Sequence, residues 1–307
     1  MSIAPLTYWR GAGRSQRLGI LAGYLVVYAA TVGILLIISN AVSPFVAIAA
    51  GTIYIFSHIF RALRLAALSV DALGLSARTT AAMHFATAPF SLLLPFKLGE
   101  LVRFFALYKM GGKAAHAVTV LLLDRMFDSL LLVPILMLLI LQSDASMALA
   151  TFTLLAATLP LAVICIGPGL LSEVQRYVVA SHDNPMSLKS LKTLDRLRRL
   201  VIHATQVAWR QAPQMFVLSL LIWLCEFVVC MILVAHADAL FQAALDLLGA
   251  RLVAFWTHGG MAQPLAVAIG VTLMAQLLLW PMMALYFMDR LTSRGADPEQ
   301  KKKEVAG

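Results

Sequence analysis

Eight ionisable side chains sit inside otherwise apolar stretches of this 307-residue chain: Lys97, Glu100, Arg103, Asp124, Arg125, Asp128, Glu226 and Arg251. Lys97, Glu100 and Arg103 recur every three residues, which stacks them along one stripe of a helix. Asp124 and Asp128 are four apart and share a face, while Arg125 lies about a quarter-turn away. A charge placed at membrane depth costs on the order of 2.5–3.5 kcal/mol on insertion scales, so each of these groups requires a partner or a task. Two uses fit the residue types. The four cations and four anions can pair as salt bridges between helices, with Glu100 to Arg125 and Arg103 to Asp128 as partners. Alternatively the arginines line a polar groove, their planar donor forks matching the oxygens of an anionic phosphate head group. The two uses are compatible, because a carboxylate can hold an arginine in place until a phosphate displaces it.

The elements that must position these groups follow from composition. The chain is 61% hydrophobic and 13% charged, with a mean hydropathy of +0.86. Soluble domains are roughly 45–50% apolar and about 25% charged, so a water-exposed surface cannot accommodate this sequence. The expected fold is all-α, a polytopic integral membrane protein. A span takes about 20 apolar residues. The stretches Leu18–Ser39, Phe45–Ala67, Ala114–Leu141, Met147–Ile166, Pro213–Ala235 and Gln263–Met288 read as six transmembrane helices. Met1–Arg17 followed by Leu18–Ser39 resembles a signal peptide in its basic start. The apolar run is long for one and lacks a cleavage site, so it reads as the first span.

Two further segments are broken. Residues 78–110 form apolar halves interrupted by Pro89, Pro95 and Gly99, and residues 239–260 form two short halves interrupted by Gly249. Of the 24 Lys and Arg, all but Lys97, Arg103, Arg125 and Arg251 fall on one side, provided neither broken segment crosses. On that side lie Arg10, Arg14 and Arg17, then Arg61, Arg64 and Arg78, Lys109 and Lys113, the stretch from Arg176 to Arg210, and the C-terminal lysines. The net charge of +9 is then the positive-inside signature of a membrane protein, with both termini cytoplasmic, and no nucleic-acid partner is implied. The expectation is about six transmembrane helices plus two re-entrant helical hairpins, the first entering from the cytoplasm and the second from outside. Such opposed, interrupted segments point to a midplane transport site, since irregular backbone at that depth must line protein or a water-filled cavity. Residues 1–290 read as one membrane domain, within which 171–212 is an amphipathic basic cytoplasmic connection. Residues 291–307 read as a charged cytoplasmic tail.

Other chemistries lack apparatus. Cys165, Cys225 and Cys230 show no CxxC spacing and read as small buried hydrophobes. His58, His84, His116 and His258 are scattered without ligand spacing, so no metal is expected. Trp9, Trp223, Trp256, Trp280 and Tyr286 read as packing or interfacial residues. Gly11-Ala12-Gly13 follows no strand and is no phosphate loop; G-x-S-x-G and H-E-x-x-H are missing from the sequence. Neither an enzymatic activity nor a cofactor is expected.

The run Leu94-Pro95-Phe96-Lys97-Leu98-Gly99-Glu100-Leu101-Val102-Arg103, followed by Asp124-Arg125-Met126-Phe127-Asp128, resembles the membrane domain family of lysylphosphatidylglycerol synthases. That family is the flippase-like half of the multiple peptide resistance factor and includes stand-alone members. Arg61 to Leu65, and Trp223 with Glu226, also fit its pattern. The resemblance covers most of the chain, with its specific part at Pro95–Asp128. It implies lipid translocation between leaflets, with two re-entrant hairpins flanking a polar cavity. Thr257–Pro264 carries the glycines of the family's C-terminal stretch without its acidic residue. Beyond Met288 only a short tail follows, so lysyl-lipid synthesis is not expected of this chain.

The expected function is movement of an anionic phospholipid, modified lipid or lipid-linked precursor between leaflets of a bacterial inner membrane. Arg103 and Arg125 would contact the phosphate, Lys97 would add attraction, and Glu100, Asp124 and Asp128 would orient the cations. Arg251 would meet the head group from the outer side. Two other readings stay open. One is a non-transporting partner of a lipid-modifying or glycosyltransferase enzyme, docking through 171–212. The other is a small-solute transporter coupled to protons through Glu100, Asp124 or Asp128.

Overall fold

The computed structural model describes residues 14–93, 98–142, 154, 155, 158, 159, 161–181, 185–235, 237–253 and 263–295. Among the described residues every regular element is a helix: α1 (Arg14–Ser39), α2 (Pro44–Leu73), α3 (Ala77–Leu93), α4 (Leu98–Gly111), α5 (Ala114–Gln142), α6 (Gly167–Ser181), α7 (Pro185–Leu233), α8 (Leu240–Val253) and α9 (Gln263–Gly295). By length and composition, three are apolar enough to cross a bilayer: α2, the 188–233 part of α7, and the 264–281 part of α9. The α5 helix is of similar length, 29 residues, but carries Asp124, Arg125 and Asp128. Outward-facing Leu25, Ile37 and Phe45 would form unsupported apolar patches in water and suit a lipid-facing surface.

Local signals fix the corners. The Ser43 hydroxyl accepts from the Val46 N–H at 3.3 Å, and Pro44 occupies the first turn of α2, where its missing N–H is no loss. The helix ends at Gly74, whose φ of 64° lets its own N–H donate to the Val70 carbonyl and the Leu75 N–H donate to the Ser69 carbonyl. Ser76 then caps the next turn, its hydroxyl accepting from the Thr79 N–H. Gly112, with φ of 72°, turns the chain from α4 into α5.

Helices α2 and α7 form an antiparallel axis. Asp71 pairs with Arg210 and Gln211, Arg64 with Ser219, and Arg61 and Ser57 with Glu226. One core, with Leu65, Leu68, Met83, Leu107, Leu123 and Met215, joins this axis to α3, α4 and α5. A second joins it to α1 and α9 through Ile38, Tyr54, Val229 and Val271. A third seats α8 through Ala244, Leu247 and Leu248 beside Cys230 and Ala268.

Within 78–110, α3 and α4 pack against each other as two short arms. A Cβ on Gly99 would lie 2.5 Å from the backbone of Ser91, so α4 lies directly on α3 there. A Cβ on Gly111 would lie 2.5 Å from Leu73, so the pair begins and ends beside the same end of α2. At 17 and 14 residues the arms are about 25 and 21 Å long, short of the ~30 Å hydrocarbon core. Pro95, with Lys97, lies outside the described residues.

Three expectations are altered. The interruption at Gly249 does not occur: α8 runs unbroken from Leu240 to Val253, because one glycine costs a helix only about 1 kcal/mol. Residues 254–262, which would supply the second hairpin's return, lie outside the described residues, as does most of the expected span Met147–Ile166. The connection 171–212 and the span from Pro213 are not separate elements; α7 continues through Pro213 for 49 residues. Its polar half is also anchored, with Ala204, Val207 and Ala208 buried in the first core. The final helix runs on to Gly295, past the boundary expected at 290.

Candidate functional site

Helices α2, α4, α5, α7 and α8 bring the buried charges together in two adjoining networks. The first is built around α5, whose i, i+4 spacing aims Asp124 and Asp128 at α2. Arg64 meets both: its Nε donates to Asp124 Oδ1 at 2.9 Å and its Nη1 to Asp128 Oδ1 at 2.7 Å. The same Nη1 donates to Ser219 Oγ at 2.8 Å, tying α7 into the site. With 1% of its side chain exposed, Arg64 is the buried keystone of the network.

Arg125 leaves α5 a quarter-turn away and faces α4. Its Nη2 lies 3.1 Å from Glu100 Oε1 and 3.0 Å from Asp124 Oδ2, and its Nη1 lies 3.3 Å from Asp128 Oδ2. Its side chain remains 37% exposed. Arg103, on the same α4 stripe as Glu100, is 3.5 Å from Glu100 and 3.8 Å from Asp124, with 7% of its side chain exposed. The Nε atoms of Arg103 and Arg125 are buried with no hydrogen-bond partner among the described residues.

The second network centres on Glu226 of α7. Its Oε1 accepts from Arg61 Nη2 and Ser57 Oγ, each at 3.1 Å, and its Oε2 lies 3.0 Å from Arg251 Nη1. Arg251, from α8, also sits with its guanidinium carbon 5.7 Å from the centre of the Tyr54 ring. Arg61 and Arg64 are neighbours on one face of α2, three residues apart, so this helix links the two networks.

The structure thus joins Glu100, Arg103, Asp124, Arg125 and Asp128 in one network and places Arg251 in the other. Lys97 lies outside the described residues. The expected pair of Glu100 with Arg125 forms. Arg103 turns to Glu100 and Asp124 instead of Asp128, because Arg64 takes Asp128 from the α2 side. Arg61 and Arg64, which the charge pattern assigns to the cytoplasmic edge as topology signals, are instead members of the buried networks. The stripe Ser57, Arg61, Arg64 at i, i+4, i+7 was the available signal, together with α2 being 30 residues long where about 20 suffice.

The histidines also show a pairing that sequence spacing conceals. His58 Nδ1 is 3.1 Å from His84 Nε2, and His58 Nε2 is 2.9 Å from Gln276 Nε2, which reaches Tyr54 at 3.4 Å. This buried polar chain lies across α2, α3 and α9, beside the second network. Among the described residues no group of three His, Cys, Asp or Glu is arranged to hold a metal ion. Chemically, the arrangement offers guanidinium donors on packed helices to an anion, with carboxylates that orient those donors when the anion is away.

Residues 8–291 match the family model described as the lysylphosphatidylglycerol synthase TM region. No curated protein and no solved structure matches the chain.

Proposed function

The chain belongs to the lysylphosphatidylglycerol synthase TM region family, a multi-pass membrane domain linked to lipid handling, and from that premise we propose that it translocates an anionic phospholipid, modified lipid or lipid-linked precursor between leaflets. The observation carrying this reading is Arg125. It is the most exposed guanidinium of a largely buried network, it stands beside α4, and its Nε has no partner among the described residues. A head-group phosphate reaching the groove would meet Arg125 first and exchange with Glu100, the network's most exposed carboxylate. Asp124 and Asp128 hold Arg125 from behind, Arg103 adds positive potential on α4, and Lys97, close by in sequence, would add charge attraction. Arg251 meets the head group at a second station.

The topology we propose has six transmembrane helices and two re-entrant hairpins, in a bacterial inner membrane with both termini cytoplasmic. The chain acts as a carrier, not an enzyme. Coupling to protons is the weaker reading. Asp124 and Asp128 each meet at least two arginines, so neutralising either one leaves the buried network with an excess positive charge. Docking of a lipid-modifying or glycosyltransferase enzyme through α6 and the polar half of α7 is compatible with transport.

The test is leaflet exchange by the Arg103→Ala, Arg125→Ala double variant against wild type in proteoliposomes at equal protein content. Loss of exchange by a folded variant supports the site. A wild-type rate in the folded variant removes these residues from the mechanism.

A further inference from the structure

The two networks differ in charge. Around α5, the three arginines Arg64, Arg103 and Arg125 face the three carboxylates Glu100, Asp124 and Asp128, a formal balance. Around Glu226, Arg61 and Arg251 share a single carboxylate, leaving an excess of one positive charge among the described residues. Both oxygens of Glu226 are engaged, one with Arg61 and Ser57 and the other with Arg251. Neither arginine is saturated by this. Arg61 keeps a buried Nε without a partner among the described residues and is 22% exposed; besides Glu226, Arg251 has only a weak hydrogen bond to Cys230 Sγ at 3.9 Å and the Tyr54 ring face among the described residues. The nearby Tyr54, His58 and Gln276 are formally neutral and offer no compensating anion.

An excess buried cation is costly unless an anion neutralises it, and a guanidinium with free donors is the group best shaped for a phosphodiester. We propose that Arg61 and Arg251, held apart by Glu226, form a second anion site whose charge excess selects a head group of one net negative charge at its phosphodiester. The inference deepens the lipid-carrier reading and rests on it for the ligand class. A monoanion brings the Glu226 network to neutrality. A zwitterionic lipid brings its own cation and gains less. The balanced α5 network binds only by exchange with its own carboxylates, so the charge selection resides at Arg61 and Arg251, whereas Arg125 supplies the exposed point of first contact.

The triad also suggests a clean substitution. Arg61→Gln leaves Glu226 paired with Arg251, and Arg251→Gln leaves it paired with Arg61, so either single change neutralises the network without orphaning the carboxylate. The probe is dioctanoyl phosphatidylglycerol, with dioctanoyl phosphatidylcholine as the zwitterionic control, titrated onto the full chain in a nonionic detergent. Wild type is expected to bind the glycerol lipid more tightly than the choline lipid. Arg61→Gln and Arg251→Gln are each expected to weaken phosphatidylglycerol roughly ten- to a hundredfold, the loss of one charge-assisted hydrogen-bonding group. Arg61→Lys should keep the preference. Glu226→Gln, which raises the excess to two, should tighten binding if the protein folds. The proposal is overturned if wild type shows no preference for phosphatidylglycerol, or if both folded glutamine variants retain it at full strength. Binding that survives while leaflet exchange fails in wild type would sink the carrier function and leave the site. Exchange that survives in variants that no longer discriminate the two lipids would sink the charge-selection proposal alone.

Discussion

Replacing Arg64 by alanine should damage folding far more than replacing the more visible Arg125. Arg64→Ala removes donations to Asp124 at 2.9 Å, Asp128 at 2.7 Å and Ser219 at 2.8 Å, all on buried partners. Asp124 would retain Arg103 and Arg125, but Asp128 would retain only Arg125, at 3.3 Å from a side chain that is more than a third exposed. Removing one partner of a buried pair costs about 3–5 kcal/mol, because the remaining charge stays desolvated. For a chain of this size that corresponds to a fall on the order of 5–15 °C in the unfolding midpoint. The assay is thermal unfolding of purified protein in detergent, followed by loss of the monodisperse chromatographic peak. Asp128→Ala should cost about 1–3 kcal/mol less in the Arg64→Ala background than alone, since the two side chains share one interaction. A wild-type midpoint for Arg64→Ala, or strict additivity of the two changes, would refute the keystone assignment.

Arg125→Ala should cost at most about 2 kcal/mol in the same unfolding assay while abolishing lipid exchange, because its solvent-screened pairs contribute less than fully buried ones; a folding defect as large as that of Arg64→Ala would contradict this. Gly99→Val should separate α3 from α4, since even a Cβ falls 2.5 Å from the Ser91 backbone. The expected cost is at least ~2 kcal/mol with loss of exchange, and a stable, active variant would refute the close packing of the two arms. Asp71→Asn, at the exposed end of the α2–α7 axis, should cost less than about 1 kcal/mol, measured by the same unfolding assay, because its partner Arg210 is solvent-exposed.

The sequence pattern revealed the helical class, two short helices in place of one span over 78–110, and the Glu100–Arg125 pair, all of which follow from apolar length and helical periodicity. It did not reveal Arg64. A cation near the end of an apolar run has the same local signature whether it meets water or two aspartates contributed by a helix 60 residues away. The same limit hid the meeting of His58 with His84 and Gln276, which depends on how three helices pack. Gly249 and Pro213 misled in the opposite direction. Both are helix-weakening residues, yet the packing of Leu247 and Leu248 on one helix, and of Ala208 and Met215 on the other, sustains the helix through them. Glu226 and Arg251 stood out individually by type, but the charge excess they create with Arg61 exists only once three helices meet.

Whether the chain moves lipid is decided by leaflet exchange with the wild-type protein alone. Vesicles carrying a trace of fluorescent phosphatidylglycerol in both leaflets would be treated with a membrane-impermeant reductant, with and without the protein. The account requires bleaching beyond the outer-leaflet share, rising with the fraction of vesicles that contain the protein. Bleaching confined to the outer-leaflet share, in vesicles shown to hold folded protein and with anionic lipids of several head groups, would contradict lipid translocation by this chain.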